Sequence, residues 1–187
     1  MNKRELRQFL RAQHRGDDVR NLESALLCEH ILASSVFQTA QVVGGYMPLT
    51  REVDVRPVLA AALRQGKTLV LPLCHHAPHM TMHVVSSLEE LRVGSYGILE
   101  PAADAPIIPP EKIELLLVPL EGIDHDGFRL GKGGGYYDRL LSLADIPTIG
   151  CALSWQWTEH VPREPWDKPL CACADYTGIR WFNRNNN

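Results

Sequence analysis

A run of thirteen residues from position 127 to 139 combines glycines and cations in a pattern that favours anion binding. Five of the thirteen are glycine, and Arg129, Lys132 and Arg139 stand among or beside them. Glycine lets backbone N–H groups come close to a ligand and adopt positive φ, and successive N–H groups in such a turn form an anion-binding nest. The residues after Gly135 have a helical pattern, so the nest would lead into a helix N-terminus, which also favours phosphate. The run therefore predicts a polyphosphate site.

The spacing within this run excludes two common nucleotide-binding motifs. In a Walker P-loop, Gly-Lys is followed by Ser or Thr, whereas Gly133 follows Lys132 here. A Rossmann fingerprint needs an acidic residue at the end of a second strand, and none stands at the required distance. The alternative is a tight strand-to-helix connection without a ligand, but three cations among five glycines argue against it.

Helices and strands alternate along the chain and would hold this run in place. Apolar residues at helical spacing predict helices over 2–14, 19–37 and 56–64, with another after Gly135. Apolar or alternating runs predict strands over 41–47, 68–73, 79–85, 113–120, 146–153 and 178–182, and a loop is predicted over 100–112.

This alternation predicts an α/β fold with three layers, in which helices cover both faces of a mixed, mostly parallel central sheet. In such sheets ligands gather beyond the carboxyl ends of the strands. The apolar strand over 113–120 precedes the glycine run, so the run has that placement.

Length and composition are those of an ordinary globular protein. The 187 residues fit one domain, with a polar, frayed tail at 183–187. A net charge of −3 gives no reason to expect nucleic acid or a membrane as partner, and no segment approaches the roughly 20 apolar residues of a membrane span. Five irregularly spaced cysteines without a secretory signal indicate a reducing compartment. We expect a cytoplasmic monomer.

The stretch from Arg129 to Asp138 closely resembles the signature of the 5-formyltetrahydrofolate cyclo-ligase family, also called methenyltetrahydrofolate synthetases. Other segments agree with that family: Lys3-x-x-x-Arg7, Tyr46-Met47-Pro48 followed by Glu52-Val53-Asp54, Gly97-Ile98-Leu99-Glu100-Pro101, and Val118-Pro119 before Asp124. The resemblance therefore spans nearly the whole chain. One departure stands out, because the family's Asp-x-Pro-Leu-Asp becomes Asp167-Lys168-Pro169-Leu170-Cys171 here, with cysteine in place of the second acid.

The resemblance implies an ATP-dependent ligase that cyclises 5-formyltetrahydrofolate, including polyglutamylated forms, to 5,10-methenyltetrahydrofolate. ATP would phosphorylate the formyl oxygen, N10 would attack the activated carbon, and ADP and phosphate would be released. Phosphoryl transfer requires mainly alignment and charge neutralisation from the protein. Cations, backbone N–H groups and Mg²⁺ suit that task.

The resemblance also implies a role for each matched residue. The nucleotide would be bound by Lys3, Arg4, Arg7, Arg129, Leu130, Gly131, Lys132, Gly133, Gly134, Gly135, Tyr136 and Tyr137. The folate would be bound by Met47, Glu52, Lys132, Gly133, Gly134, Gly135 and Tyr136. Lys132, Tyr136 and Arg129 are the predicted catalytic residues, and Asp138 and Asp167 are the predicted Mg²⁺ ligands.

Several of these side chains could have other roles. Taken alone, Asp138 could equally be a first-turn acid favoured by the helix dipole, and Glu52 an ordinary exposed loop acid. Tyr136 or Tyr137 could simply pack the helix onto the sheet.

Two alternative functions also stay open. Cys171 in place of the family's acid permits a catalytically weakened folate- or nucleotide-binding protein. A similar layered sheet occurs in sugar-phosphate isomerases and CoA transferases. Such an enzyme would use the glycine run for a monophosphate or CoA and would need a carboxylate base, for which Glu100 and Glu121 are available.

Overall fold

A computed structural model describes residues 1–75, 79–94 and 97–182, and the tail predicted at 183–187 lies outside the described residues. Within these ranges the α-helices are α1 (Lys3–Ala12), α2 (Asp17–Ala33), α3 (Ser35–Thr39), α4 (Arg56–Arg64) and α5 (Tyr136–Leu143). The strands are β1 (Val42–Gly44), β2 (Thr68–Cys74), β3 (Met80–Val85), β4 (Arg92–Val93), β5 (Leu99–Glu100), β6 (Ile107–Ile108), β7 (Leu115–Pro119), β8 (Gly122–Ile123), β9 (Arg129–Leu130), β10 (Thr148–Cys151), β11 (Ala172–Asp175) and β12 (Gly178–Trp181).

Eight of these strands form one sheet in the order β12-β11-β10-β7-β1-β2-β3-β6. The five neighbours from β11 to β2 are parallel, while β12 and β3 run antiparallel to the strands beside them. Two short hairpins, β4–β5 and β8–β9, lie outside this sheet. The predicted mixed, mostly parallel sheet is confirmed.

Both faces of the sheet are buried, as the three-layer prediction requires. Leu115 and Leu117 of β7 belong to a core with α2 and α4, whereas Leu116 and Val118 belong to a second core that includes Leu140 of α5. Successive side chains of a strand point to opposite faces, so both sets are buried only when helices cover both sides. This double burial explains why β7 is apolar throughout rather than alternating.

Some predicted element boundaries are wrong, for local reasons. The helix predicted over 19–37 breaks at Ser34, whose backbone is extended and whose Oγ accepts the Phe37 N–H at 3.3 Å, so that a new helix begins there. The loop predicted over 100–112 contains the edge strand β6, because two residues are too few to show a periodicity. Arg129 and Leu130, which we expected in the glycine turn, form β9. The range predicted as helix over 56–64 is confirmed.

Cys171, where the chain departs from the family pattern, connects the beginnings of two parallel strands. Its Sγ accepts hydrogen bonds from the Thr148 N–H at 3.1 Å and the Thr148 hydroxyl at 3.2 Å, and its own N–H donates to Thr148 Oγ1 at 2.8 Å. Thr148 is the first residue of β10, and Cys171 directly precedes β11. The residue therefore lies at the amino-terminal edge of the sheet.

Replacement of Cys171 by aspartate should strengthen this connection. A carboxylate would accept both Thr148 bonds as a charged acceptor, and such bonds are worth roughly 1.5–3 kcal/mol against about 1 kcal/mol for neutral ones. We expect Cys171→Asp to unfold with a free energy about 1–2 kcal/mol above that of the wild type, and Cys171→Ala to unfold below both, as measured by urea denaturation at pH 7. A Cys171→Asp variant no more stable than the wild type would contradict this account of the contact.

Candidate active site

A cavity of about 500 Å³ opens at the carboxyl-terminal edge of the parallel strands. Tyr46 and Met47 of its wall follow β1, Cys74 ends β2, and Pro119 ends β7. This is the edge at which α/β sheets bind ligands, because the connections beyond the strand ends leave a crevice there. The glycine run lies in the same wall, so it stands at the edge of the sheet that the sequence predicts.

The glycine turn, residues 131–135, connects β9 to the first turn of α5. Gly133 and Gly135 have φ values of 107° and 71°, which L side chains rarely adopt, and Gly135 is the N-cap residue of α5. A Cβ on Gly131 would lie 2.5 Å from Arg129 Nη1, so glycine there leaves room for the guanidinium. The turn thus presents backbone and a helix N-terminus to the cavity, as the sequence predicts.

Four cations line the cavity: Lys3, Arg7, Arg129 and Lys132. Lys3 and Arg7 share one face of α1 because they are four residues apart. Arg7 Nε donates to the Gly131 carbonyl at 2.7 Å, which fixes α1 against the glycine turn. Partial burial lowers the pKa of the Arg7 guanidinium, which nevertheless stays a cation at neutral pH.

Arg4 lies apart from these cations, although the sequence grouped it with them. It is exposed and is not among the residues that line the cavity. One step along a helix rotates the side chain by about 100°, so the residue after Lys3 faces away when Lys3 and Arg7 face inward.

Each acid predicted to act in the site is paired with one of the cations. Glu52 Oε1 lies 2.6 Å from Lys132 Nζ, Asp167 Oδ2 lies 2.5 Å from Lys3 Nζ, and Asp138 Oδ1 lies 3.0 Å from Arg129 Nη2. The members of these three pairs come from different segments of the chain. Their charges cancel, which leaves Arg7 as the remaining cation among the four.

Glu52 and Arg129 are held firmly because both are largely buried. Glu52 is 8% exposed, and its Oε2 accepts the Leu49 N–H at 2.7 Å. The alternative of an ordinary exposed loop acid is therefore wrong. The Arg129 guanidinium also lies over the Tyr137 ring, 5.4 Å from its centroid. Asp138 does stand in the first turn of α5, where the helix dipole favours it, and its bond to Arg129 adds to that preference.

The rest of the cavity wall is mainly apolar or aromatic and was not assigned from the sequence. These residues are Tyr46, Leu49, Pro72, Cys74, Met80, Ile98, Glu100, Pro119, Leu120 and Trp166. Tyr46, Ile98 and Glu100 belong to segments that resemble the family, so the motif match could have identified them as candidate site residues. Trp166 directly precedes Asp167.

Burial keeps the acidic hydroxyl and thiol groups of this wall protonated. It raises the pKa of Tyr46 and of Tyr137 well above that of a free phenol, and the charge of Glu52 adds to both shifts. Burial, reinforced by Glu100, raises the pKa of the Cys74 thiol to about 11. The described wall therefore offers cations, backbone N–H groups and carboxylates at neutral pH, but neither phenolate nor thiolate.

The predicted Mg²⁺ ligands face the same cavity but do not form a preformed metal cluster. Over the described parts of the chain, His, Cys, Asp and Glu side chains do not converge in groups of three or more that could hold a metal ion. Asp138 and Asp167 both line the cavity, and each carboxylate contacts a cation. Magnesium bound with a nucleotide commonly takes one or two carboxylates plus phosphate oxygens and water, so this donor pair fits that ion in type.

The residues that motivated the alternative functions lie elsewhere or are already engaged. Cys171 is at the opposite edge of the sheet and does not line the cavity. Glu121 also lies outside the lining and forms a two-bond ion pair with Arg11 at 2.8 and 2.9 Å. Glu100 is 5% exposed and accepts the Cys74 N–H at 3.3 Å. The structure thus gives the isomerase or transferase alternative no free carboxylate base at Glu121 or Glu100.

Comparison with known proteins gives one consistent result. Residues 1–174 match the model of the 5-formyltetrahydrofolate cyclo-ligase family. The 5-formyltetrahydrofolate cyclo-ligase of Escherichia coli K12 is 32% identical over 139 residues, which cover 71% of this chain and 76% of the relative. The 5-formyltetrahydrofolate cyclo-ligase of Haemophilus influenzae is 30% identical over 152 residues, which cover 76% of this chain and 79% of the relative.

A solved structure shares the fold over the full length. The NMR structure of 5,10-methenyltetrahydrofolate synthetase from Aquifex aeolicus superposes with a TM-score of 0.85 at 31% identity, and the match covers 100% of this chain and 96% of that one. In the described ranges, no helix combines the length and the apolar character that crossing a membrane requires. From the family match, the identity of its relatives and the shared fold, this chain belongs to the 5-formyltetrahydrofolate cyclo-ligase family.

Proposed function

We propose that this protein catalyses the ATP-dependent conversion of 5-formyltetrahydrofolate to 5,10-methenyltetrahydrofolate. The observation that carries the proposal is a single cavity with two unlike parts. A glycine turn with Lys3, Arg7, Arg129 and Lys132 forms one part, and a mainly apolar wall with the buried Glu52 forms the other. Such a cavity suits a polyphosphate and a flat, partly apolar molecule at the same time. The names of the relatives and membership of the family support the same reaction.

The glycine turn is the proposed nucleotide site. Its backbone N–H groups, the N-terminus of α5 and the four lining cations would bind the phosphates of ATP, with Leu130 and Tyr137 beside them. Cationic side chains and oriented N–H groups stabilise the charge that develops during phosphoryl transfer. Arg129, Lys132 and Tyr136 are the proposed catalytic residues. Arg4 faces away from the cavity, so we give it no role.

The mainly apolar part of the cavity wall is the proposed folate site. The Glu52 carboxylate would accept paired N–H bonds from the pterin ring, a geometry that suits a carboxylate well. Met47 and the Tyr136 ring supply apolar surface on which a flat ring can stack, and the glycine turn would close the site on its other side.

The proposed reaction begins at an amide-like formyl group, which is a poor electrophile. The formyl oxygen attacks the γ-phosphorus of ATP, so that a new O–P bond forms as the bond to the ADP oxygen breaks. N10 then attacks the formyl carbon and loses its proton, and the C–O bond breaks to release phosphate. The protein's task is to align N10, the formyl group and the γ-phosphate and to neutralise charge.

The three ion pairs imply that the two substrates bind cooperatively. Lys132 cannot fully engage Glu52 and a phosphate at once, so we propose that ATP draws Lys132 away and leaves Glu52 Oε1 for the pterin. In the same way, phosphate would draw Lys3 from Asp167. Asp167 and Asp138 would then hold Mg²⁺, which would neutralise phosphate charge. Such linkage is reciprocal, so folate would also raise the affinity for ATP.

Other features expected from the sequence stay predictions. These are a single domain over 1–187, a monomer, a cytoplasmic location and the use of polyglutamylated folates. The helix α2, from the N-terminal part of the chain, packs against β11 and β12 from the C-terminal part. We therefore expect that removal of either part of the chain would unfold the other.

The activity is tested directly with purified protein. ATP and 5-formyltetrahydrofolate together should produce the near-ultraviolet absorbance of the methenyl product, and omission of ATP should abolish it. Lys3→Met should raise the KM for ATP about tenfold or more, because a charge-assisted contact is worth roughly 1.5–3 kcal/mol. Arg4→Met is the matched control, because Arg4 is one residue away but lies outside the cavity. Its KM for ATP should stay within about twofold of the wild-type value. An ATP-independent or absent product would refute the function.

The linkage is tested by binding of 5-formyltetrahydrofolate without nucleotide. Lys132→Met should bind it about fivefold more tightly than the wild type, because Glu52 is already released, and ATP should no longer increase the affinity. Isothermal titration calorimetry measures both effects when a non-hydrolysable ATP analogue replaces ATP, with the exposed Lys168→Met as control. Weaker folate binding by Lys132→Met would instead mean that Lys132 contacts the folate directly and would overturn the exchange.

A further inference from the structure

Trp166 combines high exposure with a place in the wall of the cavity. Its side chain is 65% exposed, yet it lines the cavity together with Lys3 and Asp167. Among the aromatic residues of this lining, Tyr46 is buried and Tyr136 and Tyr137 are partly buried, whereas Trp166 is exposed. Its indole ring is therefore a large apolar surface at the mouth of the cavity rather than part of the core.

The segment that carries Trp166 is fixed. A turn closes from the Asp167 N–H to the Glu164 carbonyl at 3.0 Å, and Pro165 has the restricted φ that suits the second position of such a turn. The Asp167 carboxylate also accepts the Glu164 N–H at 2.7 Å and the Lys3 ammonium at 2.5 Å. The two contacts within the turn remain when phosphate draws Lys3 from Asp167, so the backbone that carries the ring keeps its conformation with and without a ligand.

The lining of the cavity has one part that favours phosphate and another that disfavours it. Polyphosphate is favoured at the glycine turn and the four cations, while the apolar wall and the acids Glu52 and Glu100 disfavour a phosphate chain. Trp166 directly precedes Asp167, whose carboxylate contacts Lys3, one of the four cations. A nucleoside attached to phosphates at these cations would therefore lie within reach of the exposed indole ring.

We propose that Trp166 stacks on the nucleobase of ATP and forms the base-binding part of the nucleotide site. This inference rests on the proposed function, because it requires a nucleotide whose phosphates lie at the glycine turn. Stacking on an aromatic ring tolerates any base, since every base has a π-face. Trp166 therefore adds affinity for nucleoside triphosphates in general, and the purine and pyrimidine forms should differ only by the strength of their stacking.

Steady-state kinetics give the first test. Trp166→Ala should raise the KM for ATP about tenfold and leave kcat and the KM for 5-formyltetrahydrofolate within about twofold, while Trp166→Phe should recover most of the loss. Inorganic tripolyphosphate has no base, so its inhibition constant against ATP should be unchanged in Trp166→Ala. Equal weakening of tripolyphosphate would show that the variant disturbs the Asp167 turn and would overturn the stacking, as would a raised KM for the folate.

Intrinsic fluorescence gives a second test that needs no turnover. ATP should quench the tryptophan emission of the wild type and of Trp181→Phe, which removes a comparably exposed ring on the edge strand β12. Quenching should disappear in Trp166→Phe. Persistence of the quenching in that variant refutes the stacking, even when turnover is normal. The wild type could show this quenching and yet have no ATP-dependent turnover. That result would refute the proposed reaction but not the base-binding role of Trp166.

Discussion

Charge neutralisation across the cavity is the interaction on which the geometry of the site depends. Isolated charges are costly to bury, and the cavity wall brings three acids into partly or largely buried positions. Each acid is matched by a cation from another segment: α1 pairs with the turn over residues 164–167, the glycine turn with the loop after β1, and β9 with α5. These pairs hold together the walls of a pocket that no single element could shape.

The parallel sheet makes such pairing possible. Because β1, β2 and β7 run in the same direction, their following loops all emerge at one edge, and α1 is fixed against that edge by the bond from Arg7 to Gly131. The hydrophobic packing of both sheet faces keeps the strand ends in register. Burial thus supplies the rigid frame, and the ion pairs set the distances within it. The contacts that a substrate must break are electrostatic, while the frame can stay in place.

Local features of this arrangement could be predicted from the sequence. The glycine turn and the start of α5 depend on residues that are neighbours in the chain, and the helix over 56–64 follows from local periodicity and Gly66. The pairing of Lys132 with Glu52 or of Lys3 with Asp167 could not be predicted, because each joins residues far apart in sequence and depends on the strand order. The sequence identified these residues as candidates for phosphate, pterin and metal, but not as partners of one another. Helix geometry alone could have predicted that Arg4 faces away from the cavity, because Lys3 and Arg7 were already assigned to one face of α1.

The contact between Cys171 and Thr148 has a consequence for how such a protein can change over time. It lies at the edge of the sheet where the parallel strands begin, and the ligand cavity lies where they end, with the length of the strands between them. A substitution at one edge can therefore change the stability of the sheet while the groups that line the cavity keep their positions. The cysteine in place of the family's second acid is thus a change that the packing of two strands must accommodate and that the cavity does not contact.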